Sequence, residues 1–262
     1  MDRTYIVMQL AASVDGRITF APSLTMFDKH PAEKLLPDGG ATWKMVEMAI
    51  EASCHPQAAI MGSGTVMRES DPLRELPPFE GDPTTLHDEF LPEEVVKRTT
   101  NWAVLVDGRG RCRSGYKATE NAGCHILHLV SHGAPAEYLA YLRREMIPYL
   151  IAGQHHVDLA EAMRKLWRKL DVKVARLCGG GTLNGAMLRA DLIDEIHLIV
   201  WPMMIGGDAT PTLADCPDLT ASDRPARLTL ISAEPQADGN LWLHYKVERQ
   251  ALSEKPMGPS VS

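Results

Sequence analysis

Apolar residues along this chain fall in short blocks, each cut by glycine, proline or aspartate. Residues 4–12, 58–61, 102–106, 126–130, 174–178 and 196–201 are near-continuous apolar runs. Runs of that length without strict alternation suit strands buried on both faces. Other stretches carry apolar residues at helical spacing. Met45, Val46, Met48 and Ala49 predict a helix over 43–52 with Thr42 at its cap. Pro135 opens a helix to about Arg144, and Asp158 caps one to Leu170 with Leu159, Ala162, Met163, Leu166 and Trp167 inward. Thr182 caps a fourth, with Leu183, Ala186, Met187 and Ala190 on its inner face. Residues 147–151 are a weaker strand, and 227–233 and 241–247 are two strands joined by the hairpin turn Asp238-Gly239-Asn240.

Strand–helix alternation followed by a hairpin predicts a three-layer α/β/α architecture, with a mostly parallel sheet and an antiparallel C-terminal edge. Residues 20–40 are expected to be a loop over the site. Residues 71–100 read as a surface excursion with a short helix near 93–97, and 208–225 as loop. One domain over 1–250 and a frayed tail over 251–262 complete the expectation.

Ligands in such sheets sit at the carboxyl ends of strands. Two strands there run through glycines into a helix: Gly62-Ser63-Gly64-Thr65 and Gly179-Gly180-Gly181-Thr182. A helix N-terminus behind a glycine turn offers free N–H groups and partial positive charge to a phosphate. A tight connection without any ligand is the other reading of either motif, and neither is GxGxxG.

The net charge of −7 over 262 residues, without a Lys/Arg run, argues against a nucleic-acid partner. No apolar stretch is long enough for a membrane span, and the N-terminus lacks the parts of a signal peptide. Five scattered cysteines without a CxxC pair suggest reduced thiols, a cytoplasmic location and no metal site. Asp15, at the mouth of the first strand, is the candidate proton donor, with a plain Asp-Gly turn as the alternative. Gln9, Ser13, Asp71 and Cys178 are candidate substrate contacts. Cys178 is either a thiol lowered by the helix N-terminus behind it or a small buried packer.

The segments LAASVDGRI, GSGTVMRESDPL, VDGRGR and GGGTLNGAMLRADLIDEIHLIVWPMMIGG, with the closing hairpin, resemble in that order the reductase domain of the riboflavin deaminase–reductase family, the RibD C-terminal family. The resemblance covers about residues 4–247. It implies a dihydrofolate reductase-like fold, NADPH as hydride donor to a small-molecule substrate, and a homodimer. It assigns cofactor contacts to Gly62, Gly64, Thr65, Gly179, Gly180, Gly181 and Thr182, with Asp107 and Arg109 near the adenosine end; Ser131, at the carboxyl end of the next strand, is a further candidate from its position. It implies a 2′-phosphate contact for Arg109, whose alternative is a solvated surface charge. No zinc deaminase signature is present. The chain departs from the family at the substrate side: Cys178 stands where a Glu is common, Gln9 where a Lys is common, and the Arg expected within 52–56 is missing. These departures weaken the case for a phosphorylated substrate and keep open a nucleotide-binding homologue without catalysis.

Overall fold

The computed structural model describes residues 2–36, 40–113, 123–221, 223–237 and 239–249. Among them, nine strands form one sheet: β1 Tyr5–Ser13, β2 Ala58–Gly62, β3 Asn101–Val106, β4 Cys124–Val130, β5 Tyr149–Ile151, β6 Val174–Leu177, β7 Glu195–Trp201, β8 Arg227–Pro235 and β9 Leu241–Glu248. The helices are α1 Ala41–Cys54, the single turn α2 Ser63–Val66, α3 Glu93–Arg98, α4 Ala136–Arg144, α5 Leu159–Leu170 and α6 Gly181–Arg189. The sheet order is β5-β4-β3-β2-β6-β1-β7-β9-β8. Strands β1 to β7 pair in parallel, and β9 and β8 close the sheet antiparallel.

Successive residues of β1 show why its sequence lacks alternation. Ile6 and Met8 pack into one core with Met163 and Leu166 of α5 and Leu183 and Met187 of α6. Val7 packs into another, against Val46 and Ile50 of α1. Leu105 and Ile126 of β3 and β4 meet Tyr138, Leu139 and Leu142 of α4 in a third. Both faces are therefore apolar and covered, as parallel sheets require. The expected three-layer class is the one observed.

Two helix starts differ from expectation. Gly40, in the left-handed region at φ 94°, caps α1, while Thr42 is buried in the first turn and accepts from Asn240 Nδ2 at 3.2 Å. Gly180 caps α6 and leaves Thr182 exposed inside its first turn. The inner face of α6 is Leu183, Asn184, Gly185 and Met187, with Ala186 and Ala190 outward. The loop around Asp215 packs along the helix and rotates its buried side, as Asp215 N–H donates to the Gly181 carbonyl at 2.9 Å. The expected loop over 20–40 holds a 3-10 turn at Pro31–Leu35. Residues 37–39 of that loop, Asp238 of the expected hairpin turn, and the tail from 250 lie outside the described residues.

Candidate functional site

The site grows from two adjacent strands. β2 and β6 run parallel with Ile60 opposite Leu177, so their glycine turns emerge side by side. The turns are tied together: Cys178 N–H donates to the Ile60 carbonyl at 2.9 Å, Gly62 N–H to the Gly179 carbonyl at 3.2 Å, and Gly180 N–H to Thr65 Oγ1 at 3.1 Å. Gly179 takes φ 100°, which a side chain would resist, and the Gly179–Gly180 peptide is cis.

Above these turns lies a cleft of about 450 Å³. Gly62, Gly64, Thr65, Cys178, Gly179, Gly180, Gly181 and Thr182 line it, as their pattern predicts. Trp43, Trp201, Leu10, Ala11, Ile18, Thr19, Leu24, Thr25, Met26 and Asp215 line it as well. Leu24, Thr25 and Met26 belong to the 20–40 loop expected over the site, and sequence reasoning missed the others. Trp43 and Trp201 registered only as positions on a helix and a strand, and nothing local says that they share a space. The cleft lies at the strands' carboxyl ends, the place expected for a ligand, where β6 is inserted between β2 and β1.

The other candidates do not line the cleft. Asp15 accepts from Ser13 Oγ at 2.6 Å and from the backbone N–H groups of Ile205 and Gly206 at 3.0 and 2.6 Å. The Ser13 hydroxyl first, and then those amides, hold its carboxyl down to about 2. At neutral pH Asp15 thus carries no proton to donate, and it clamps the loop after β7 to the end of β1. Ser13 is buried in the same clamp. Gln9 is buried behind Trp43, accepting from Arg176 Nη1 at 3.2 Å and donating to the Trp43 carbonyl at 3.4 Å. Asp71 accepts from Arg68 N–H at 2.7 Å.

Asp107, Arg109 and Ser131 sit at the ends of β3 and β4, the next strands along the same sheet edge. Asp107 is buried and accepts from the N–H groups of Arg111 and Cys112 and from the Tyr138 hydroxyl, at 3.1, 2.7 and 2.9 Å. Ser131, also buried, donates to the Gly108 carbonyl at 3.0 Å. Arg109 grips Glu69 with both terminal nitrogens, at 2.9 and 2.7 Å. Cys178 faces the cleft, but burial pushes its thiol up, so the expectation of a lowered value fails. Desolvation first, and then the Glu47 charge, outweigh the pull of Arg176.

Away from the cleft, Glu195, His197 and His244 gather with ligand atoms within 4.8 Å of one another, which sequence spacing did not suggest. Trp242 Nε1 donates to His197 Nδ1 at 3.2 Å, and the Tyr5 hydroxyl to Glu195 at 2.6 Å. The two imidazoles stack with centroids 4.0 Å apart, so their in-plane lone pairs run side by side rather than converge.

The family model described as the RibD C-terminal domain matches residues 4–242. A 2,5-diamino-6-ribosylamino-4(3H)-pyrimidinone 5′-phosphate reductase of Methanothermobacter thermautotrophicus is 32% identical over 112 residues, 43% of this chain and half of that protein's length. The Archaeoglobus fulgidus reductase of the same description is 27% identical over 214 residues, 81% of this chain and 87% of its own. Among solved structures, a pyrimidine reductase-like protein from Corynebacterium diphtheriae superposes with a TM-score of 0.62 at 15% identity, covering 94% of this chain and 93% of that one. Acinetobacter baumannii RibD also gives 0.62, at 19% identity, over 95% of this chain and 59% of its own. At such identities the structural likeness shows a common fold.

Proposed function

Since the chain belongs to the RibD C-terminal domain family, we propose that it is an NADPH-dependent reductase delivering hydride to a small heterocyclic or carbonyl acceptor, as the names of its pyrimidinone phosphate reductase relatives suggest. The observation that carries this reading is the cleft formed where two glycine turns meet at the carboxyl ends of β2 and β6. Gly64 supports the fit to a dinucleotide. A Cβ built there meets no protein atom within 4 Å, so the space its missing side chain leaves opens into the cleft. Gly62, Gly64, Thr65 and residues 179–182 would hold the cofactor's pyrophosphate and nicotinamide side, with backbone N–H groups at the start of α6 facing the phosphates. Arg109 would serve the adenosine end, where a 2′-phosphate competes with Glu69 for its guanidinium, while Asp107 and Ser131, buried in their own hydrogen bonds, hold the ends of β3 and β4. When bound, NADPH supplies the hydride.

Asp15 acts as a positioning residue, fixing the loop beside Trp201, and the acceptor draws its proton from elsewhere. All five cysteines are free thiols, which suits the cytoplasm, and no helix among the described residues is long and apolar enough to cross a membrane. A homodimer is the proposed working unit, supported by Leu228, Leu230 and Ile231 exposed on the edge strand β8.

The first test is titration with NADPH and, separately, NADH, followed by quenching of tryptophan fluorescence, then NADPH oxidation with 2,5-diamino-6-ribosylamino-4(3H)-pyrimidinone 5′-phosphate. NADPH binding at least about tenfold tighter than NADH is expected, with turnover. No binding of either dinucleotide sinks the reductase reading, and binding without turnover leaves a nucleotide-binding protein.

A further inference from the structure

The cleft offers an acceptor aromatic area and no positive side chain. Among the described residues, no lysine or arginine lines it. Its one carboxylate, Asp215, accepts from the Thr212 N–H and hydroxyl at 3.0 and 2.6 Å on the same oxygen. The Cys178 thiol is held neutral by burial. Arg176, two residues before it, is turned away to Glu47 and Gln9. Arg17 donates to the Thr210 carbonyl at 2.6 Å. What remains is Trp43 and Trp201. The Trp201 ring is braced before any ligand arrives: Phe20 stacks on it at 6.0 Å and 2°, and His30 stacks on Phe20 at 5.4 Å and 10°. A wall held in place in this way binds a flat ring with little ordering cost. A substrate phosphate set against these two rings, with the N–H groups at the start of α6 taken by the cofactor's pyrophosphate, would lose its water without a counter-charge.

We propose that the acceptor of this cleft is an uncharged planar heterocycle recognised against Trp43 and Trp201, with no phosphate grip. The inference rests on the reductase reading and narrows its substrate. It separates this chain from the relatives whose names carry a 5′-phosphate.

The test compares 2,5-diamino-6-ribosylamino-4(3H)-pyrimidinone 5′-phosphate with the same nucleoside lacking the phosphate, by binding and by NADPH oxidation. The two are expected to agree within about fivefold in Kd and kcat/KM, the size of an exposed ion pair. Trp43→Ala and Trp201→Ala weaken both compounds by about tenfold or more, while Trp43→Phe, which keeps an aromatic ring and the packing, retains most of the affinity. A preference for the phosphate of about a hundredfold or more, or displacement of the nucleoside by millimolar inorganic phosphate, overturns the proposal. So does failure of both compounds to bind. The reductase reading fails separately, through loss of NADPH binding or of hydride transfer, while the ratio of the two affinities still decides the acceptor's class.

Discussion

Single residues in this protein are often engaged by partners far away in the chain. Tyr138 has one hydroxyl proton and gives it to Asp107 Oδ2 at 2.9 Å. His128 Nδ1, 2.8 Å from the same hydroxyl, must therefore donate to it, which fixes the neutral imidazole with its proton on Nδ1. Burial holds His128 down to about 4 against the pull of Asp107. Burial, and then His244, hold His197 at about 4 as well. Both values lie below the 6.5 of an unfolded histidine, so the unfolded chain takes up protons first as pH falls. Their contribution to stability is complete above about pH 6.5 and is lost toward pH 4, at no more than about 1.4 kcal/mol per pH unit for each histidine. Urea midpoints measured at pH 7.5, 6 and 5 are expected to fall in that order. A flat series would mean that the folded protein takes up these protons as readily as the unfolded chain does. That Asp107 ends a strand was legible in the sequence. Its burial under Tyr138 was not, because that partner arrives from another helix.

At the scale of elements, two helix glycines, Gly64 in α2 and Gly185 in α6, do opposite work. Gly64 faces open cleft, so Gly64→Ala is expected to leave stability within about 0.5 kcal/mol and to weaken NADPH by about tenfold or more, since the methyl occupies ligand space. Gly185 faces backbone: a Cβ there meets the Asp215 carbonyl oxygen at 2.3 Å. Gly185→Ala should cost about 1–3 kcal/mol despite the better helix propensity of alanine. Thermal melts beside NADPH titrations separate the two effects, and equal behaviour of both variants would remove Gly64 from the cofactor site. Helix α6 was legible from its apolar spacing, but its buried side was not. The loop around Asp215, later in the chain, covers Asn184 and Gly185 and adds a second packed face.

At the scale of the whole molecule, the sheet ends in β8, whose Leu228, Leu230 and Ile231 are 42%, 53% and 52% exposed. An apolar strand beyond which no described strand lies invites a second copy. Light scattering is expected to give twice the chain mass, and Leu230→Lys with Ile231→Glu the mass of one chain; a monomeric wild type would refute the dimer. The sequence by itself determined the layered class, the alternation of strand and helix, the two glycine-to-helix turns and the family, because apolar periodicity, turn chemistry and motif order are carried by neighbouring residues. Tertiary structure alone decided that β6 inserts between β2 and β1, and so brings the two turns together. It also decided that Trp43 and Trp201 share the cleft, and that Asp15, Gln9 and Ser131 turn into hydrogen-bond networks beside it. The reason is physical: a buried polar side chain goes where donors and acceptors converge, and those come from segments that only the sheet order makes neighbours.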